Sequence, residues 1–160
     1  MANYSTRSTL DRVGRVLGID VGARRIGLAI SDPSRTLARP LSTLTVTSAE
    51  DGVARVAREI ARLSAELEKD DDALAEIVVG APSRLDGSPS GQTLKVDAFV
   101  EALRACTTLP IVREDERLTS REAESRLAAG ERDWRRRKER LDAAAAAIIL
   151  QDYLDRHGSG

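Results

Sequence analysis

The segment that decides the fold is RVLGIDV, Arg15 to Val21, followed three residues later by RIGLAISD, Arg25 to Asp32. Both are short apolar runs typical of buried strands, and the residues between them suit a hairpin turn. Asp20 lies inside the first run among apolar neighbours. An ionised carboxylate there is costly unless it is paired, hydrogen-bonded or bound to a metal. The hairpin therefore carries either an aspartate that caps the following turn or a rigidly held functional carboxylate.

Downstream of the hairpin, the hydrophobic period changes from that of strands to that of helices. A third strand is predicted within Ala38 to Val46, where β-favouring residues follow Pro40. Apolar residues then recur at helical spacing from Val53 to Leu67, and Ser48 with Asp51 forms a plausible cap. The apolar run from Glu76 to Gly80 predicts a strand that is covered on both faces.

The second half alternates in the same way. Residues 81–91 contain prolines and glycines and predict an irregular loop. A helix is expected around 96–103, a strand from Leu109, a helix capped at Thr119, and a last helix from Leu141 to Tyr153 that follows a flexible basic loop. The sequence thus predicts an α/β fold of order β-β-β-α-β-α-β-α-α, with a five-stranded mixed sheet and helices on both faces.

The expected organisation is one domain over residues 15–156, with a loose tail at 1–14 and a second tail at 157–160. This order of elements occurs in RNase H-like domains and in each half of the actin and sugar-kinase ATPases, so topology leaves both classes open. The ATPase alternative needs a second domain of similar size to close over a nucleotide, and 160 residues do not supply one.

The composition sets limits on the class of protein. The hydrophobic fraction of 41% and the charged fraction of 32% are typical of a soluble domain with a core. The longest apolar run, from Ala143 to Leu150, is too short to span a bilayer, and no signal-peptide stretch opens the chain. A single cysteine, Cys106, excludes an internal disulfide. We therefore expect a cytoplasmic protein without a membrane partner.

Acidic residues at three places along the chain are candidates for one site. Besides Asp20, Asp142 is expected to open the last helix, where it shares a face with small alanines that permit close approach to a sheet. Glu114, Asp115 and Glu116 end a predicted strand, and their mutual repulsion would be relieved by a cation. Taken singly, each has a simpler explanation as a turn, helix-dipole or loop residue. Together they predict a carboxylate pocket.

Such a pocket suits Mg²⁺ or Mn²⁺, because hard cations prefer oxygen ligands. Two such ions would activate water and stabilise the leaving oxygen in phosphodiester hydrolysis, a scheme that needs no histidine base. The chain has one histidine, His157, which the sequence places in an inert tail.

Several blocks of sequence stand out. They are GIDVG and RIGLA (18–22 and 25–29), TLARPL (36–41), IVVGAP with DGS (77–82 and 86–88), DERLTS with EA (115–120 and 122–123), and LD to LQDYL (141–142 to 150–154). In this order, over roughly residues 15–155, they resemble the blocks of the YqgF (RuvX-like) family.

This resemblance implies an RNase H-like nuclease that matures the 5′ end of pre-16S ribosomal RNA. Resolution of Holliday junctions is an alternative role for the family. The implied catalytic and metal-binding acids are Asp20, Glu116 and Asp142, with Asp115 as a further candidate ligand. The chain departs from related resolvases at Ala145 and Ala146, where no second acid follows Asp142, so one-metal and two-metal mechanisms both remain open. It also reads Ser83-Arg84-Leu85 where the family commonly has an asparagine.

Nucleic acid is the expected partner even though the formal net charge is −1, because a local basic patch is sufficient for phosphate contact. The candidate phosphate-binding residues are Arg39, Arg117, Arg135, Arg136, Arg137 and Lys138. The sequence does not choose between structured RNA and branched DNA. Symmetric cutting of a four-way junction would require a homodimer, whereas trimming an RNA end would not. A non-catalytic nucleic-acid-binding factor of the same fold is the third alternative.

Overall fold

The computed structural model describes residues 14–83, 91–117 and 134–157, and within these ranges the side chains of 14–81, 93–114 and 142–157. The elements, in chain order, are β1 (Arg15–Val21), β2 (Arg25–Ser31), β3 (Ala38–Thr45), α1 (Ala49–Lys69), β4 (Leu74–Ser83), α2 (Gly91–Arg104), β5 (Ile111–Arg117) and α3 (Trp134–His157).

The strands form a five-stranded sheet of order β3-β2-β1-β4-β5. β2 is antiparallel to both of its neighbours, whereas β1, β4 and β5 are parallel to one another. The predicted α/β fold with a mixed five-stranded sheet is confirmed. The helix expected from Thr119 lies outside the described residues, as does the tail at 1–13.

Helices cover both faces of the sheet, as predicted. Alternate residues of β1 separate the two layers, because successive side chains of a strand point to opposite faces. Leu17 and Ile19 pack with α1 and α2 in one cluster of buried side chains. Val16 packs in a second cluster with Leu150, Leu154 and other residues of α3. The side of the sheet that faces α3 is called the α3 face below.

Three boundaries differ from those predicted. β4 continues to Ser83, three residues into the predicted loop, because β5 pairs with it up to that residue. β4 pairs with β1 only as far as Gly80. At Pro82, β4 therefore has no hydrogen bonds to make with β1, and a proline without an N–H is tolerated there. α2 begins at Gly91, inside the predicted loop, and β5 begins at Ile111 rather than Leu109.

The largest correction concerns the last helix. It begins at Trp134 rather than Leu141, so the predicted basic loop is helical, and Asp142 lies in the interior of α3 rather than in its first turn. The density of positive charge suggested a loop, but Arg, Lys and Glu are good helix formers. The helix also extends to His157, which the sequence had placed in a tail. Within the described ranges, no helix is long and apolar enough to cross a membrane.

A buried polar network anchors the carboxyl-terminal half of α3. Glu76 of β4 is fully buried and accepts hydrogen bonds from the hydroxyl of Tyr153 at 2.9 Å and from the guanidinium of Arg35 at 3.0 Å. Gln151 accepts from the backbone N–H of Ala38 and donates to the carbonyl of Thr36, each at 2.9 Å. Because these bonds join α3 to β4 and to the β2–β3 loop, the helix has a fixed position along the sheet.

The loop between β2 and β3 depends on the carboxylate of Asp32. It accepts hydrogen bonds from the Ser34 hydroxyl at 2.5 Å and from the N–H groups of Thr36 and Leu37 at 2.7 and 3.0 Å. These bonds, the one from Ser34 first, lower the pKa of Asp32 below its ordinary value of 3.8. The carboxylate therefore stabilises the folded chain above pH 3.8, and this contribution is lost as the pH falls through the lower pKa of the folded state.

We expect Asp32→Ala to lower the free energy of unfolding at pH 7 by about 1 kcal/mol, because backbone donors lose their acceptor. The difference from wild type should shrink as the pH is lowered below 3.8, and urea unfolding across this range measures it. Glu68→Gln, at an exposed position of α1, should show no such trend. A difference for Asp32→Ala that does not change with pH would contradict the role of the charged form.

Candidate metal and nucleic-acid site

Asp20 stands at the centre of a row of paired residues that crosses the sheet. The row runs from Thr43 through Gly27, Asp20 and Gly80 to Glu114, one residue from each strand. Paired residues on neighbouring strands point to the same face of a sheet. Gly80 is on the α3 face, since a Cβ added there would overlap Ile149 of α3. Asp20 therefore points to the α3 face with a glycine on either side.

Gly27 brings Asp142 beside Asp20. A Cβ added at Gly27 would overlap the backbone carbonyl of Asp142, so α3 rests directly on β2 at this point. Positions that are paired across an antiparallel ladder have Cβ atoms about 5 Å apart. The structure thus places Asp20 and Asp142, from the sheet and from the helix, next to each other. Both residues are partly buried, and the Oδ2 atom of Asp142 is itself shielded from solvent.

Glycines of the sheet are a second sequence signal for the close contact between α3 and the strands. The close approach was predicted from alanines of the helix, and Gly27 belonged only to a family block of the hairpin. Gly18 lies under α3 in the same way, because an added Cβ would stand 2.8 Å from the Cβ of Leu150 and 3.1 Å from the carbonyl of Ala146. Glycine at 18, 27 and 80 lines the surface on which α3 lies, and this pattern could have been read from the strands.

Arg25 forms an ion pair with one of these acids. Its Nε lies 3.6 Å from Oδ2 of Asp142, and the two side chains are 20% and 24% exposed. Arg25 is two residues before Gly27 on β2, so both residues are on the α3 face. In the sequence this residue stood out only as part of a family block, with no predicted role of its own.

Successive residues of a strand alternate between the two faces of the sheet, so the acidic positions predicted on β5 do not all share one face. Val112 packs with the α3 cluster, whereas Arg113 forms an ion pair with Asp97 of α2 on the other side of the sheet. Position 116, which pairs with Pro82, is an even number of residues from Val112. Positions 115 and 117 are an even number of residues from Arg113. By backbone register, position 116 therefore falls on the α3 face of β5, and positions 115 and 117 on the opposite face. Their side chains are outside the described part of the chain.

The basic turns of α3 extend from the same edge of the sheet. α3 runs antiparallel to β1, because Leu154 packs with Val16 while Asp142 lies at the level of Asp20. The turns before Asp142 therefore extend about 12 Å beyond the level of Asp20, at 1.5 Å per residue, in the direction in which β4 and β5 also continue. They carry four of the predicted nucleic-acid-binding residues, whose side chains are not described: Arg135, Arg136, Arg137 and Lys138.

Arg39 is not part of this site. It is exposed on β3 and pairs with Ile30, which in turn pairs with Leu17 of β1. Leu17 packs on the opposite face from Asp20 and is three residues away along the strand, which corresponds to about 10 Å. The position of Arg39 gives no support to its predicted role.

The far end of the Asp20 row contains a cluster that the sequence did not predict. Glu114 is nearly buried and forms an ion pair with Arg156, and the Nε2 atom of His157 lies 4.0 Å from its carboxylate. The ring of His157 lies against that of Tyr153, with centroids 4.7 Å apart. These contacts hold the end of α3 against β5. His157 is therefore a packed helix residue rather than part of an inert tail.

The donor chemistry of the site fits a hard divalent cation, although the described side chains alone do not complete a ligand set. Among them, no group of three or more His, Cys, Asp or Glu residues is arranged to hold a metal ion. Asp20 and Asp142 supply carboxylate oxygens, and the backbone position of Glu116 would bring a third from β5. Oxygen-only ligation is the preference of Mg²⁺ and Mn²⁺.

Comparison with known proteins assigns the chain to a family of nucleases. The family model described as "RuvX: Holliday junction resolvase" matches residues 14–156. A protein of Salinibacter ruber named "Putative pre-16S rRNA nuclease" is 41% identical over 154 residues, which cover 94% of this chain and 99% of that protein. A relative of the same name from Chloroflexus aggregans is 40% identical, over 88% of this chain and 92% of its own length.

Solved structures with lower sequence similarity were also found. Thermus thermophilus RuvC in complex with a Holliday junction substrate is 18% identical, with a TM-score of 0.49, over 91% of this chain and 97% of that chain.

We expect Gly27→Ala to separate Asp142 from Asp20, because the added methyl group collides with helix backbone that cannot rotate away. Overpacking of this kind costs about 1–3 kcal/mol of folding free energy. Cleavage activity should fall by about a hundredfold or more in protein that remains folded. Thermal unfolding and a nuclease assay measure the two effects.

Gly52→Ala is the matched control. Gly52 is a buried glycine of α1, and an added Cβ there would meet only the flexible end of Ile26, at 3.0 Å. This variant should fold and retain activity. Equal losses of activity in the two variants would contradict the positioning role of Gly27.

Proposed function

The chain is a nuclease of the RuvX family, and from this premise we propose that it hydrolyses phosphodiester bonds with Mg²⁺ or Mn²⁺ in the maturation of the 5′ end of pre-16S ribosomal RNA. The observation that carries the proposal is the position of Asp142 beside Asp20, enforced by Gly27. Carboxylates from a central strand and from a packed helix are held by elements that do not move independently. Such rigidity is what preorganised catalysis requires.

Asp20 and Asp142 would hold the cation, and Glu116 is proposed as the third ligand. A bound Mg²⁺ or Mn²⁺ supplies Lewis-acid chemistry, lowering the pKa of water and stabilising negative charge on phosphate oxygens. The two described carboxylates provide fixed negative charge at a partly exposed surface. Asp115 is not included, because the parity of β5 favours Glu116 as the acid on the α3 face.

The packing of α3 favours a single helix carboxylate. Related resolvases have a second acid one turn after Asp142, where this chain has Ala145 and Ala146. Ala146 is fully buried, and its carbonyl stands 3.1 Å from where a Cβ at Gly18 would be. Because a carboxylate at 146 would have no room and no water, we propose a site with fewer acids than in those resolvases, consistent with one tightly held ion.

The basic turns of α3 are proposed to hold the nucleic-acid backbone. They extend beyond the level of Asp20 and Asp142, so a strand bound along them would pass the acids. Phosphate contacts of this kind are independent of sequence and sensitive to salt. Arg117 remains a candidate phosphate contact on the opposite face. Arg39 is not included in the proposed surface.

Cleavage of four-way DNA junctions is the second candidate function, favoured by the description of the matching family model. It would require a homodimer for symmetric cutting, whereas end-processing of RNA does not. Substrate preference together with molar mass from light scattering separates the two. The proposed RNA role includes a cytoplasmic location, where ribosomes are assembled.

We expect labelled pre-16S 5′-leader RNA to be cut in the presence of Mn²⁺ or Mg²⁺ and not in EDTA. Asp20→Asn, Asp142→Asn and Glu116→Gln should each lose at least about a hundredfold in rate, because each removes a charged ligand. Asp115→Asn is the matched control, since it alters the neighbouring acid on the other face and should retain activity. Loss of activity in Asp115→Asn with retention in Glu116→Gln would contradict the assignment on β5.

If the folded wild type cuts neither the leader RNA nor a four-way DNA junction with metal present, the nuclease proposal fails. A binding factor without catalysis would then be the function that remains.

Replacing Arg135, Arg136, Arg137 and Lys138 together by glutamine should weaken RNA binding and reduce its dependence on salt. On single-stranded RNA, the slope of log K against log[salt] should become shallower by about 0.7 for each phosphate that the variant no longer neutralises. Fluorescence anisotropy across a salt series measures the slope. Arg55→Gln together with Arg58→Gln, on the exposed surface of α1, is the control and should leave the slope unchanged.

A further inference from the structure

We propose that Arg25 is a substrate-phosphate residue that pairs with Asp142 in the metal-free enzyme and is released when a cation takes that carboxylate. The inference rests on the proposed function and assigns a role to a residue at the same site. Removal of the Arg25 charge should strengthen metal binding and weaken nucleic-acid binding.

Strand pairing holds the backbone of Arg25, and its side chain reaches the proposed metal site. Arg25 is the first residue of β2, pairs with Thr45 of β3, and accepts a hydrogen bond at its carbonyl from the N–H of Gly22 at 2.9 Å. Its guanidinium is on the α3 face, 3.6 Å from the carboxylate of Asp142, and is 20% exposed. A cation is thus fixed at the rim of the proposed metal site.

The Arg25–Asp142 contact is of the kind that can be exchanged. At 3.6 Å it is an ion pair longer than a normal hydrogen bond, between side chains that are 20% and 24% exposed, while the Oδ2 atom of Asp142 is itself buried. At this distance the pair lacks the geometry of a short charge-assisted hydrogen bond. The Arg35–Glu76 pair is different, because Glu76 is fully buried and their 3.0 Å hydrogen bond belongs to the network that anchors α3. Arg25, unlike Arg35, is therefore not part of the hydrogen-bond network that anchors α3.

Electrostatics favours the replacement of Arg25 by a divalent cation at the Asp142 carboxylate. A divalent cation attracts the Asp142 carboxylate twice as strongly as a guanidinium at the same distance and repels Arg25. The planar guanidinium fork matches the oxygens of a phosphate group, which becomes its nearest available anion once substrate is bound beside the cation. Before metal binds, Arg25 lowers the repulsion between neighbouring carboxylates. Afterwards it offers a phosphate contact.

The test measures Mn²⁺ binding by calorimetry without nucleic acid, followed by cleavage kinetics with leader RNA. Arg25→Gln should bind Mn²⁺ about three- to tenfold more tightly than wild type, because a competing positive charge is gone. Its KM for RNA should rise several-fold with a smaller change in kcat, since glutamine cannot replace the guanidinium on a phosphate. Arg25→Lys retains the charge and should bind Mn²⁺ as wild type does.

Arg24→Gln is the matched control. Arg24 is the adjacent arginine and is exposed in the hairpin turn, so its removal changes net charge equally without touching Asp142. Mn²⁺ affinity should be unchanged in this variant. An increase equal to that of Arg25→Gln would reduce the effect to net charge and overturn the proposal.

Two outcomes separate this inference from the function on which it rests. If wild type binds Mn²⁺ and cuts RNA while Arg25→Gln matches it in both Mn²⁺ affinity and KM, the role of Arg25 is wrong and the nuclease stands. If the wild type neither binds Mn²⁺ nor cuts, the proposed function and this inference fail together. Circular dichroism of Arg25→Gln establishes that it is folded, and Arg25→Lys provides the comparison if it is not.

Discussion

The site depends on direct contact between the backbone of α3 and a sheet surface that lacks side chains. Gly18, Gly27 and Gly80 leave space that Leu150, Asp142 and Ile149 fill. Ordinary side chains at these positions would hold the helix farther from the sheet and separate Asp142 from Asp20. Because glycine is present there, the backbone of α3 lies directly on the strands.

A close contact at one point would not by itself orient a helix of 24 residues. The far half of α3 is held by Tyr153 on buried Glu76, by Gln151 on the β2–β3 loop and by Arg156 on Glu114. These bonds are remote from Asp20, so the position of the helix does not rest on the acids of the site. The anchoring contacts of α3, which are buried and polar, are thus separate from the candidate site, which is charged and partly exposed.

Much of the fold was predictable because buried strands and amphipathic helices carry strong periodic signals. The opening hairpin and the cap of α1 are as expected, with Ser48 accepting a hydrogen bond from the N–H of Asp51 at 3.0 Å. The errors occurred where local composition conflicts with pairing or propensity. Pro82 is in a strand because β5 supplies a partner, and the basic turns from Trp134 are helical because charged residues favour helices as readily as loops.

The sequence by itself determined which residue types were available, the order of the elements and the family, and hence the short set of acids. Only the tertiary structure decided which of them share a face. Strand register puts backbone position 116, and not 115, on the side of the sheet to which Asp20 belongs, and it puts Arg39 on the other side. The fold also brings Arg25 to Asp142, a contact between residues 117 positions apart (142 − 25). Such proximity has no local signal, because it arises from packing a helix across a sheet.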